Sequence, residues 1–133
     1  MKVPIQLNKR LSKSIAIGEG VLGLLTHLLV GLIGSNGGDA VFILGLMVWS
    51  WLPYLIGIFL AVVLRNPIIA LCGMIPPLIL DATNVYAVFI APTSSTAALG
   101  LLWMPLWNLT IAGPIGIVIG LAISRIWLSP NRI

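Results

Sequence analysis

The chain has 133 residues, of which 59% are hydrophobic and only 8% charged, whereas a soluble domain of ordinary composition carries about 25% charged residues. Seven basic and three acidic side chains cannot cover a water-facing surface of this size, so bilayer lipid is the expected solvent for most of the chain; a soluble enzyme, a secreted disulfide scaffold and a disordered chain are excluded. The net charge of +4 is too thinly spread to indicate a nucleic-acid partner, and the single cysteine, Cys72, allows neither an internal disulfide nor a Cys-based metal site.

In chain order, a basic run with Lys2, Lys9, Arg10 and Lys13 precedes a first apolar stretch at about 14–34. This stretch is too long for the core of a cleaved leader, contains Glu19 and His27, and is followed by no small-residue cleavage pattern, so it reads as a membrane span. Lys2 in place of a glycine, and a C-terminal segment without cysteine, give no lipidation signal. Ser35-Asn36-Gly37-Gly38-Asp39 reads as a turn, and the second span follows at 41–64. Arg65-Asn66-Pro67 combines a helix stop, an N-cap and a proline suited to the first helical position. The third span covers 67–91, Pro92-Thr93-Ser94-Ser95-Thr96 forms a polar link, and the fourth span covers 97–127. Each stretch reaches the roughly 20 apolar residues a bilayer crossing needs, and links this short make neighbouring spans antiparallel. The expected fold is all-α, an integral membrane four-helix bundle forming a single transmembrane domain over 1–133, with its third helix kinked at Pro76-Pro77.

Basic residues near span ends favour the cytoplasmic side. Lys2, Lys9, Arg10, Lys13, Arg65, Arg125 and Arg132 all fall on one side of the four-span arrangement, and the other side has Asp39 and no basic residue. Both termini are therefore predicted to be cytoplasmic. The short loops and one-sided charge suit a prokaryotic or organellar inner membrane.

Small residues offer the clearest packing pattern. Ala112, Gly116, Gly120 and Ser124 recur every four residues in the fourth span, where another backbone can approach closely. Gly23 and Gly31 flank His27 at the same spacing, and Gly57 and Ala61 repeat it in the second span. Such a stripe packs either the helices of one chain or a neighbouring subunit, and both readings stand at this point.

Among polar residues, Asp81 is the most informative. It lies about 21 Å of helix rise from Pro67 and about 15 Å from Ala91, where an ionised carboxylate is costly unless paired, hydrated or neutralised. Pro76 and Pro77, just before it, bring no N–H and deprive the carbonyls of Cys72 and Gly73 of helical donors. Counting depth from the outer surface places His27, Asn84, Ser50, Asp81 and Asn108 in one layer about 10–16 Å deep, with Asp81 and Asn108 matching best. This layer serves either as a proton or cation site or as a structural hydrogen bond that holds a bend.

His27 is the only histidine, which excludes a self-contained bis-His haem. It reads either as an interhelical hydrogen bond or as a single ligand for a pigment or haem. Glu19, nearer the inner surface, is placed to form an ion pair with Arg65 or Arg125. No metal-ligand spacing is present, no cofactor is identified, and neither a nucleophile motif nor a paired-acid arrangement appears. The expectation is therefore a small polytopic membrane protein without enzymatic activity: an accessory or assembly subunit packing against other membrane helices or against itself. The rival is a small homo-oligomeric proton- or cation-coupled transporter or channel built on an intramembrane carboxylate.

Overall fold

A computed structural model describes residues 5–34, 39–91 and 99–127, with side chains described over 10–33, 39–91 and 99–125. Helix α1 spans Ile5–Gly34, α2 Ala40–Val62 and α3 Pro67–Val85, the last extended by a wider π turn at Tyr86–Ile90. The fourth span is built in three pieces: α4 (Leu99–Trp107), a π turn (Asn108–Ala112) and α5 (Gly113–Trp127). No strand occurs among the described residues. Four stretches are long and apolar enough to cross a membrane: Arg10–Ile33, Ala40–Val62, Pro67–Ile90 and Leu99–Arg125. The protein is thus an all-α bundle of the kind expected for a small polytopic membrane protein. Ser35–Gly38, the link at 92–96, Lys2 and Arg132 lie outside the described residues.

α1 begins at Ile5 rather than near residue 14. The segment from Gln6 to Lys13 contains no proline or glycine, so the helix runs on through the basic residues and beyond the membrane-crossing stretch, which starts at Arg10. At 30 residues the helix is about 45 Å long, more than a bilayer core requires. Asp39 caps α2, its Oδ1 accepting the Val41 N–H at 3.0 Å. The turn into α3 closes differently: Arg65 takes a left-handed backbone conformation (φ 53°), and the Asn66 N–H donates to the Leu60 carbonyl at 3.1 Å. Asn66 occupies the N-cap position with Pro67 behind it, but its side chain makes no cap hydrogen bond.

α3 is the hub, packing against α1, α2, α4 and α5. It runs helically through Pro76 and Pro77. The two hairpins pack by different periods. On α1, Ala16, Gly20, Gly23 and His27 are buried, and on α2 Met47, Ser50, Tyr54, Gly57 and Ala61 are. This three-four alternation is the pattern of coiled-coil seams. Glycines of α1 receive side chains of α2: Gly31 takes Met47, Gly23 takes the ring of Tyr54, and Gly20 takes Ile58. Between α3 and the fourth span the period is four. Ile69, Gly73, Pro77 and Asp81 oppose Asn108, Ala112, Gly116 and Gly120, all eight buried. Here backbone meets backbone: a Cβ on Gly116 would land on the Cys72 carbonyl, and one on Gly120 would lie 2.8 Å from the Ile69 Cα. The small-residue stripe is therefore spent inside the chain, where its missing side chains let two helices approach closely.

Candidate functional site

Asp81 is buried near mid-depth and accepts or shares hydrogen bonds with one side chain from each of the other three spans. His27 Nε2 of α1 lies 2.8 Å from Asp81 Oδ2, the Tyr54 hydroxyl of α2 donates to the same oxygen at 2.5 Å, and Asn108 Nδ2 of the fourth span donates to Oδ1 at 2.8 Å. The imidazole and phenol rings pack with centroids 5.8 Å apart. Isolated, a carboxylate in the hydrocarbon region would be strongly unfavourable; here each oxygen is occupied.

These four residues stand at positions 27, 54, 81 and 108, an unvarying interval of 27 residues. In an up-and-down bundle, successive intervals run alternately through an outer and an inner turn. The cluster lies nearer the end with the 34–40 turn: Asp81 is nine residues from Ile90 and fourteen from Pro67.

Local backbone features aim each side chain. Gly23 supplies the gap into which the Tyr54 ring fits, so the phenol lies flat against α1 with its hydroxyl free to reach α3. Side chains of a helix tilt toward its N-terminus, which carries the Tyr54 hydroxyl back along α2 toward Asp81. In the fourth span, the Gly113 N–H donates to the Asn108 carbonyl across the π turn. Pro114, the next residue, has no N–H to give Thr110, and its ring crowds that carbonyl, which favours the wider turn. Asn108 heads this turn with its side chain turned inward.

Two cavities flank the cluster. One, about 180 Å³, lies toward the 34–40 turn and is lined by His27, Gly31, Phe42, Met47 and Ser50 among others. The second, about 210 Å³, lies toward the 62–67 turn and is lined by Pro53, Gly57, Gly73, Asn108 and Gly113 among others. Both are half-open clefts; His27 borders the first and Asn108 the second, so each touches one member of the hydrogen-bonded cluster. Asn108 Oδ1 is buried with no hydrogen-bond partner.

Of the residues that depth counting put in one layer, His27, Asp81 and Asn108 come together. Ser50 is buried beside His27 in the first cavity wall. Asn84 is half-buried one turn further along α3, packed against Gly100. Tyr54 was not among them because counting rise along the axis ignores the reach of a phenol ring; the signal that would have found it is its 27-residue distance from both His27 and Asp81. Glu19 Oε2 is buried and unpartnered, Arg65 and Arg125 are exposed, and among the described residues no ion pair joins either arginine to Glu19. Ala112, Gly116, Gly120 and Ser124 are buried as one stripe, Ser124 donating to the Leu121 carbonyl at 2.9 Å. Trp103 and Trp107 are exposed, while Trp51 Nε1 donates to the Leu24 carbonyl at 3.2 Å, so the tryptophans do not converge on a pocket. Among the described residues, no group of three or more His, Cys, Asp or Glu is arranged to hold a metal ion.

Comparison of the chain with known protein families, with curated proteins and with solved structures finds no match.

Proposed function

We propose that this protein is a small, non-enzymatic membrane transport protein that handles protons at the Asp81–His27 pair. The observation that carries this reading is the position of the pair: a carboxyl and an imidazole in direct contact deep within the spans, with one half-open cleft bordering His27 and another bordering Asn108, the residue bonded to the other oxygen of Asp81. The 2.8 Å contact serves two proton arrangements with the same heavy atoms: an imidazolium donating to a carboxylate, or a carboxylic acid donating to a neutral imidazole. One proton crossing that bond interconverts them, and the site keeps its total charge. An ionisable residue within a membrane, with its partner identified, is the usual mark of a proton or ion pathway. The assembly-subunit reading loses its main support because the small-residue stripe that would dock a neighbouring subunit is already covered by α3.

A second reading keeps one specific observation in its favour. Both oxygens of Asp81 are engaged by donors from three other spans, as in a clasp whose only work is to hold a subunit together.

Asp81→Asn separates the two, because the amide preserves shape and most hydrogen bonding but cannot ionise. Purified wild type and variant are reconstituted into liposomes carrying an internal pH-sensitive dye, and a pH gradient is imposed with the potential clamped. Transport requires the wild type to dissipate the gradient faster than empty liposomes and the well-folded variant to fall to the empty-liposome rate. An Asp81→Asn protein as active as wild type, or a wild type no faster than lipid alone, overturns proton transport and leaves the clasp.

A further inference from the structure

We propose that Glu19 is the proton-exchanging carboxyl that connects Asp81 to the side of the 62–67 turn, an inference that rests on the proton-handling reading above. Glu19 lies within the membrane-crossing part of α1, yet its Oε2 is buried without a hydrogen-bond partner. A merely structural acid at such a place would be paired, since an unsatisfied buried polar atom is costly. The two nearest basic candidates by depth, Arg65 and Arg125, are exposed and not bonded to it.

Its neighbours on the helix say what it faces. Glu19, Gly23 and His27 repeat every four residues and so share one face of α1. Gly23 is where the Tyr54 ring rests, and the hydroxyl of that ring donates to Asp81. Glu19 thus stands one helical turn from the glycine on which the phenol ring rests, on the side away from His27. From Glu19 to His27 is eight residues, about 12 Å of rise, which extends the polar sequence from mid-depth toward the 62–67 side. Asp39, the third acid of the chain, caps α2 at the opposite end, so Glu19 is the other carboxyl within the spans.

The transfer balances without any further reactant except water. The O–H bond of a protonated Glu19 breaks as its proton passes to water, and water delivers a proton to the Tyr54 oxygen. The phenol's own proton moves to Asp81 Oδ2 along the existing hydrogen bond. Tyr54 ends as it began, Glu19 becomes a carboxylate and Asp81 a carboxylic acid.

The test uses the same liposome assay with Glu19→Gln, Glu19→Asp and Asp81→Asn. Glu19→Gln is expected to slow gradient dissipation by about 100-fold, the scale set by loss of a positioned proton-transfer group, and Glu19→Asp to restore most of it. Infrared difference spectra in light and heavy water, taken in the Asp81→Asn background so that no band comes from Asp81, supply a readout that a structural role would not move: a protonated-carboxyl band present with Glu19 and absent in Glu19→Gln. Loss of flux in Asp81→Asn with wild-type flux in Glu19→Gln overturns the role of Glu19 and leaves the transport reading intact. A Glu19→Gln protein that retains the carboxyl band also overturns it, and a wild type without flux removes both.

Discussion

The hydroxyl of Tyr54 and the absent side chain of Gly23 act as one device. Tyr54→Phe removes the donor to Asp81 and keeps the ring in place, so it should cost about 1 kcal/mol, the scale of intramembrane side-chain hydrogen bonds. Gly23→Ala should cost more, because a methyl occupies the space of the ring and displaces the same hydroxyl as well. Gly18→Ala is the control, since nothing lies within 4 Å of a Cβ there. Detergent unfolding of the three variants checks the order; equal behaviour of Gly23→Ala and Gly18→Ala would show that the ring does not rest on that glycine. This pairing also marks a limit of residue-by-residue reading. Asp81 and His27 stand out in the sequence because charge and imidazole are rare in apolar stretches, whereas a tyrosine inside an aromatic-rich span looks like ordinary packing against a neighbour.

Helix pairs in this bundle solve the absence of a hydrophobic drive in two ways. The α1–α2 seam sets side chains into glycine gaps, and the α3–α5 crossing brings backbones together over Gly73, Gly116 and Gly120. Gly116→Ala should destabilise the protein clearly, because its methyl meets a carbonyl that cannot rotate away. Gly45→Ala, with nothing within 4 Å, should be neutral or stabilising by a few tenths to about 1 kcal/mol through helix propensity. Thermal unfolding in detergent measures both, and a Gly116→Ala protein as stable as Gly45→Ala would place that stripe away from α3. The stripe itself was legible as a four-residue repeat, yet the repeat alone does not say which surface covers it. Pro76 and Pro77 take the helical donors from the Cys72 and Gly73 carbonyls within a run that stays helical. The open turns lie at Tyr86–Ile90 and at Asn108–Ala112, the second set by Pro114 acting on the turn before it.

For the whole molecule, span number was readable because each stretch has the length and hydropathy that lipid imposes, and the four boundaries agree with the structure to within a few residues. Orientation follows from a separate force, the charge bias of the links. Reporter fusions after Asp39 and after Arg65 should report opposite sides, with Arg65 cytoplasmic; a cytoplasmic signal at Asp39 would remove the four-span arrangement. The regular 27-residue interval is present in the sequence, but it acquires meaning only once the four residues are seen to meet inside the bundle.

That interval also bears on how the chain is made. A carboxylate at the centre of a helix raises the free energy of insertion by roughly 2.5–3.5 kcal/mol, so the third span is the one a translocon would hold back longest. By the time Asp81 emerges, His27 and Tyr54 have already been synthesised in the two preceding helices, and Asn108 follows one helix later. The growing chain therefore carries its own acceptor site for its least lipid-soluble span. A nascent protein lacking any one helix leaves that acid without its full set of partners.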